Sequence, residues 1–104
     1  MSSRITCVEL FRAFNNEIRR DILKSLERHE RCVMEIVKEL RCDQTTISHN
    51  LRYLNNCGLV FVHKQGKQRI YKINEKTVLP LMKLIDKHMK EMEKDMDKAI
   101  RIRE

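Results

Sequence analysis

Asp43-Gln44-Thr45-Thr46-Ile47-Ser48-His49-Asn50-Leu51-Arg52-Tyr53-Leu54-Asn55-Asn56-Cys57-Gly58-Leu59-Val60 decides the fold of this chain. Ile47, Leu51 and Leu54 recur at i, i+4 and i+7, which puts them on one stripe of a helix. Thr45, Ser48, His49 and Arg52 fall on the opposite side at i, i+3, i+4 and i+7. Asp43 is a suitable N-cap, and Gly58 suits the left-handed position just past a helix end. Each of the four outward side chains can hydrogen-bond to a base edge or a phosphate. Gln44 and Thr46, at the same end of the helix, are expected to join these four as DNA-binding residues. One apolar face for a core and one face of short donors with an arginine suit the DNA major groove.

Charge points the same way. The 104 residues carry 22 Lys and Arg against 15 Asp and Glu, a formal net charge of +7. No acid lies between Asp43 and Glu75, while Arg52, Lys64, Lys67, Arg69 and Lys72 fall within that interval. An acid-free basic block in a chain otherwise rich in acid is an electrostatic footprint for a polyanion. Charge alone would fit a merely solvated basic surface equally well.

Downstream, Leu59-Val60-Phe61-Val62-His63 is rich in β-branched and aromatic residues and predicts a strand. Gln68-Arg69-Ile70-Tyr71-Lys72-Ile73 predicts a second. Between them, Lys64-Gln65-Gly66-Lys67 predicts a tight turn with glycine at positive φ. Upstream, helices are expected from about Arg4 to Phe14, from Glu17 to Arg28 with Asn16 as cap, and from Arg31 to Leu40. The expected class is mainly α with a small two-stranded β-hairpin: a winged helix-turn-helix in which Lys64, Lys67 and Arg69 act from the wing.

Two motifs strengthen this. Phe14-Asn15-Asn16-Glu17-Ile18-Arg19-Arg20-Asp21-Ile22-Leu23 resembles the opening of the ArsR (ArsR/SmtB) family of small dimeric winged-helix repressors. Gln44-Thr45-Thr46-Ile47-Ser48-His49-Asn50-Leu51-Arg52-Tyr53-Leu54 is similar to that family's recognition helix, and Asn56-Cys57-Gly58-Leu59-Val60 to its exit. The likeness spans roughly residues 8 to 100. It implies a homodimeric, sequence-specific repressor that binds double-stranded operator DNA and releases it when an effector binds or a thiol is oxidised.

The last segment predicts why two copies would join. Val78, Met82, Ile85, Met89, Met92, Met96 and Ala99 are spaced 4, 3, 4, 3, 4 and 3 residues apart, the rhythm of a coiled-coil seam. Pro80 suits a first helical turn. The expectation is one domain, 1–104, with a winged-helix core over 1–77 and a dimerisation helix over 78–103.

Candidate sensing residues are fewer. Members of the family hold metals at a Cys-x-Cys pair and at a C-terminal Asp-x-His pair, as the resemblance implies. Here the first reads Cys32-Val33-Met34 and the second Asp86-Lys87-His88. The positions where the second would find its remaining ligands are Ala99 and Ile102, with Asp95 and Asp97 off that spacing. Tetrahedral zinc needs four ligands, so no metal site and no cofactor are expected. Cys7 and Cys32 are the candidates for a thiol sensor. A lone cysteine at an apolar helix start more often serves as a small buried residue.

No apolar run is long enough to span a membrane, nothing resembles a signal peptide, and the four cysteines lack a disulfide pattern. The expected location is cytoplasmic. There is no phosphate loop and no nucleophile with a base at recognisable spacing, so no enzyme is expected. The alternatives are a winged-helix protein-interaction module, or chromatin-type DNA binding without sequence preference. An interaction module would favour apolar or acidic residues on the outward face of 43–56, where this chain has Thr45, Ser48, His49 and Arg52.

Overall fold

The computed structural model describes the backbone of residues 6–103 and the side chains of residues 6–97. Its contacts separate a first unit, ending at Asn74, from a second that begins at Glu75. Five helices and three short strands make up the order: α1 (Cys7–Phe14), α2 (Glu17–Arg28), β1 (Arg31–Cys32), α3 (Val33–Leu40), α4 (Gln44–Asn56), β2 (Val60–Gln65), β3 (Gln68–Ile73) and α5 (Val78–Arg103).

Three helices of the first unit, α1, α2 and α4, start at a polar N-cap side chain. Thr6 and Glu9 form a reciprocal capping box on α1, with bonds of 3.0 and 3.2 Å. The Asn16 side chain accepts the Arg19 N–H at 3.0 Å and opens α2. The Glu35 carboxylate accepts the Cys32 N–H at 3.0 Å at the start of α3, and that bond holds its carboxyl below the ordinary carboxylate value. Asp43 opens α4. At the far end of α4, Leu59 N–H reaches Leu54 C=O at 2.9 Å and Gly58 N–H reaches Asn55 C=O at 3.0 Å. That pair of bonds is a Schellman cap, and it needs the left-handed Gly58, whose φ is +74°.

Ile22, Leu23 and Leu26 of α2, Ile36 of α3, Ile47, Leu51 and Leu54 of α4, and Val60 of β2 are buried together with Ile70, Tyr71 and Ile73 of β3. Burying each large aliphatic side chain contributes roughly 1.5–3 kcal/mol. This core fixes which face of α4 is left outside.

Three expectations are corrected. Residues 31–40 do not form one helix: Arg31 and Cys32 are extended and pair antiparallel with Tyr71 and Ile70 of β3. The sheet therefore has three strands in the order β1-β3-β2, not two. Its central strand gains a partner on each edge, which a lone hairpin lacks. The strand expected over 59–63 runs instead from Val60 to Gln65, because the turn contracts to Gly66 and Lys67. Only Gly66 of that pair has positive φ, +65°, the pattern of a turn with glycine at its first central position. The expected first helix began near Arg4. The described helix begins at Cys7, and Arg4 and Ile5 lie outside the described residues.

Arg41, between α3 and α4, adopts φ 53° and ψ 42°. It is the one non-glycine residue with positive φ among those described. A side chain bearing a Cβ costs about 1–2 kcal/mol in that conformation.

In the second unit, α5 runs 26 residues from Val78. Pro80 sits in its first turn, where no intrahelical N–H partner is needed. Val78 and Met82 are buried, whereas Leu84, Ile85, Met89, Met92 and Met96 are exposed. Ala99 belongs to the helix, but its side chain lies outside the described residues. Among the described residues no helix is long and apolar enough to cross a membrane.

Candidate nucleic-acid interface

Helix α4 carries the site because its two faces are assigned without ambiguity. Ile47, Asn50, Leu51 and Leu54 are buried. Gln44, Thr45, Ser48, His49 and Arg52 line a shallow concave patch on the other side. None of these five side chains makes a hydrogen bond or ion pair among the described residues. Their donors and acceptors are open to an incoming base edge or phosphate.

Thr46 is placed differently. Its hydroxyl donates to the Asp43 carboxylate at 2.8 Å, and its N–H donates to the other carboxylate oxygen at 3.0 Å. Thr46 therefore helps set the helix start. Those two bonds, the hydroxyl first, hold the Asp43 carboxyl below its ordinary value of 3.8. A depressed native pKa means that the ionised cap stabilises the fold above the unfolded carboxyl's pKa. That contribution is lost as pH falls through the lower native value. Asp43→Ala should lower the melting temperature at neutral pH. Asp43→Asn should keep the cap and flatten the acid limb of a plot of melting temperature against pH. An acid limb identical in parent and Asn variant would assign that dependence to other carboxyls.

The wing adds a second cationic surface. Lys64, Lys67 and Arg69 are exposed, and none has an ion-pair partner among the described residues. Lys64 and Arg69 are directly cross-strand, so two like charges face the same side of the hairpin. Such a pair is unfavourable for an isolated sheet; an anion alongside reverses the sign. The wing is also anchored at its base. His63 Nε2 lies 3.4 Å from the Glu30 carboxylate, which precedes β1. Asn74 Nδ2 donates to Gly58 C=O at 3.1 Å, closing β3 against the exit of α4.

The residues that aim α4 include two that the sequence reading did not single out. Arg19, on α2, directs its guanidinium at three acceptors. Nε donates to Ala13 C=O at 3.0 Å, Nη2 to Arg12 C=O at 2.8 Å, and Nη1 to Asn50 Oδ1 at 3.3 Å. The same group lies 4.2 Å from the centre of the Tyr53 ring, at cation–π distance. Asn50 in turn donates to Thr46 C=O at 2.9 Å. One arginine thus ties the end of α1 to the middle of α4. A signal was present: Asn50 falls on the same stripe as Ile47, Leu51 and Leu54, and a polar residue there needs a buried partner.

The chain as a whole is similar to known proteins. Residues 16–61 match the model described as bacterial regulatory protein, arsR family. An uncharacterised HTH-type transcriptional regulator of Methanocaldococcus jannaschii is 40% identical over 79 residues, covering 75% of this chain and 89% of that protein. The chain belongs to the arsR family. Further similarity extends to an HTH-type transcriptional repressor, SmtB, of Mycobacterium tuberculosis, 32% identical over 62% of this chain and 48% of that protein. In three dimensions the arsR-family chain resembles the homodimeric winged helix-turn-helix DNA-binding domain of a possible ArsR-family regulator from Mycobacterium bovis. The TM-score is 0.78 at 30% identity, over 82% of this chain and 79% of that one. The fold is thus a winged helix-turn-helix with a three-stranded sheet, and the arsR-family chain is a DNA-binding transcriptional regulator.

The sensing candidates stand apart. Of the two thiols, Cys7 is exposed at the start of α1 and Cys32 is buried at the start of α3. Burial also raises the Cys57 thiol. His88 is exposed on α5 with Asp86 two residues before it. No group of three or more His, Cys, Asp and Glu side chains comes together among the described residues. Ala99 and Ile102 lie outside the described side chains.

Proposed function

We propose that this protein is a dimeric, operator-specific repressor. Gln44, Thr45, Ser48, His49 and Arg52 read the major groove, and Lys64, Lys67 and Arg69 hold the flanking backbone from the wing. The observation that carries the reading is the outer face of α4: five polar side chains, unengaged by any of the described residues, on a helix whose other face is buried. A protein-binding face would leave apolar side chains there instead. Thr46 takes the role of a positioning residue, because its hydroxyl already serves Asp43.

Two copies join through the exposed part of the methionine seam, Ile85, Met89, Met92 and Met96. Val8 and Phe11 of α1 are also exposed and offer a second apolar surface to a partner copy. Val78 and Met82 are already buried in the single chain. The dimeric, repressing character is supported by the relatives named above: one solved as a homodimer, one named a repressor.

The test is a binding series on operator DNA obtained by selection from random duplexes. Arg52→Ala should cost on the order of 1–3 kcal/mol and relax the preference at one base pair, as for loss of a bidentate contact to guanine. Lys67→Ala should weaken all sequences alike and reduce the salt slope by about one. If the selection returned no enriched sequence, non-specific packing of DNA would replace operator recognition. If both variants bound like the parent, the docking face would be wrong.

A further inference from the structure

We propose that Arg41 is a phosphate anchor built into the turn of the helix-turn-helix. The inference rests on the reading of α4 as the DNA-facing helix. It starts from a cost with no structural return. Arg41 ends α3 in the left-handed conformation, φ 53° and ψ 42°. Glycine takes that conformation without strain and is the common residue at such a helix end. Gly58 does so at the end of α4. At Arg41 the chain keeps a full side chain, and the strain is retained.

No contact among the described residues accounts for it. Arg41 is exposed, and its guanidinium makes no hydrogen bond, ion pair or ring contact among the described residues. Other arginines are engaged: Arg19 holds three acceptors, Arg28 pairs with Glu39, and Arg31 lies 3.5 Å from the same Glu39. A strained residue whose side chain does nothing for the fold points to a role outside the fold.

Its place defines the partner. Arg41 lies two residues before Asp43, the cap of α4, and three before Gln44, the first residue of the outward patch. A helix that enters the major groove by its N-terminal residues brings the preceding turn to the bordering backbone. An arginine there meets phosphate oxygens, which its planar fork matches in geometry and charge. The left-handed turn sends the chain from the end of α3 into the cap of α4 and leaves the arginine outside. Arg41 therefore sets register and affinity and reads no base.

Stability and affinity should move in opposite directions, which separates this role from a structural one. Arg41→Gly removes the strain and should raise the melting temperature by a few degrees. The same variant should bind selected operator DNA roughly fivefold more weakly at 0.15 M salt and lower the salt slope by about one, as for one lost phosphate contact. Arg41→Asn, which tolerates the left-handed region but is uncharged, should lose affinity to the same extent. Arg41→Lys should recover most of it. Titrations of parent and Lys67→Ala with the same duplex run alongside. Parent binding with an undiminished affinity and slope in Arg41→Gly would overturn the anchor alone. Failure of the parent to bind any duplex would overturn the anchor together with the reading of α4. A fall in affinity confined to particular base pairs would also overturn it, since a phosphate contact carries no sequence information.

Discussion

Replacing Met89 and Met92 together by lysine should leave a folded monomer. The exposures of these two side chains in the single chain are 56% and 43%, so charge added there costs the protomer little. The same holds for Ile85 at 39% and Met96 at 60%. Large apolar side chains left open along one face of a helix are the mark of a surface meant for a partner. Their 4-3-4 spacing is that of a seam in which a second helix interlocks. In the proposed dimer the double variant would place four like charges in that seam, each desolvated without an opposite charge. Sedimentation equilibrium should then report the monomer mass while circular dichroism keeps the helical signal. Operator affinity should fall by roughly 10²–10⁴-fold, because the second half-site is no longer tethered to the first. A dimer of unchanged stability in the double variant would remove the seam, and Val8 and Phe11 of α1 would become the surface to change next.

Why α4 was legible in the sequence, and Arg31-Cys32 was not, is a matter of how far each signal reaches. Asp43, the apolar stripe at Ile47, Leu51 and Leu54, and Gly58 all act within a few residues of one another. Period and cap therefore predict both the helix and its outward face. Arg31 and Cys32 form a strand only because β3 arrives from far downstream, at Tyr71 and Ile70. Nothing local distinguishes them from the helical run that follows at Val33. Heptad spacing has a similar blind spot. It puts Val78, Met82, Ile85, Met89, Met92 and Met96 on one face. Periodicity says which side of a helix is apolar and is silent about what covers it. Val78 and Met82 turn out buried while the later four stay open. Position alone groups Thr46 with the outward side chains, whereas its hydroxyl is taken by the cap. Arg41 carried no signal at all, because a left-handed arginine is invisible until φ is known.

Arg19→Ala should be the most destabilising single change outside the apolar core. Its guanidinium satisfies two carbonyls at the end of α1 and the amide oxygen of Asn50, and lies against Tyr53. Hydrogen bonds to a charged donor contribute about 1.5–3 kcal/mol each when isolated. Three from one group do not add, and part of the site is open to solvent, so the loss is set at about 2–4 kcal/mol. For a domain whose whole stability is of order 5–15 kcal/mol, that is a large fraction. The melting temperature should fall by roughly 10–25 °C. Arg19→Lys should recover little of this, since an ammonium cannot reach three acceptors in one plane or stack flat on the ring. The functional consequence follows from Asn50. Once its oxygen is orphaned, the inner face of α4 carries a buried polar atom without a partner, and the helix is free to roll. Operator affinity measured well below the melting temperature should therefore fall in Arg19→Ala even though Arg19 is not proposed to touch DNA. Asn50→Ala should give a smaller loss, and the double variant should lose less than the sum of the two, as for coupled neighbours. Strict additivity would mean that Arg19 acts on α1 alone and that α4 is aimed by the core.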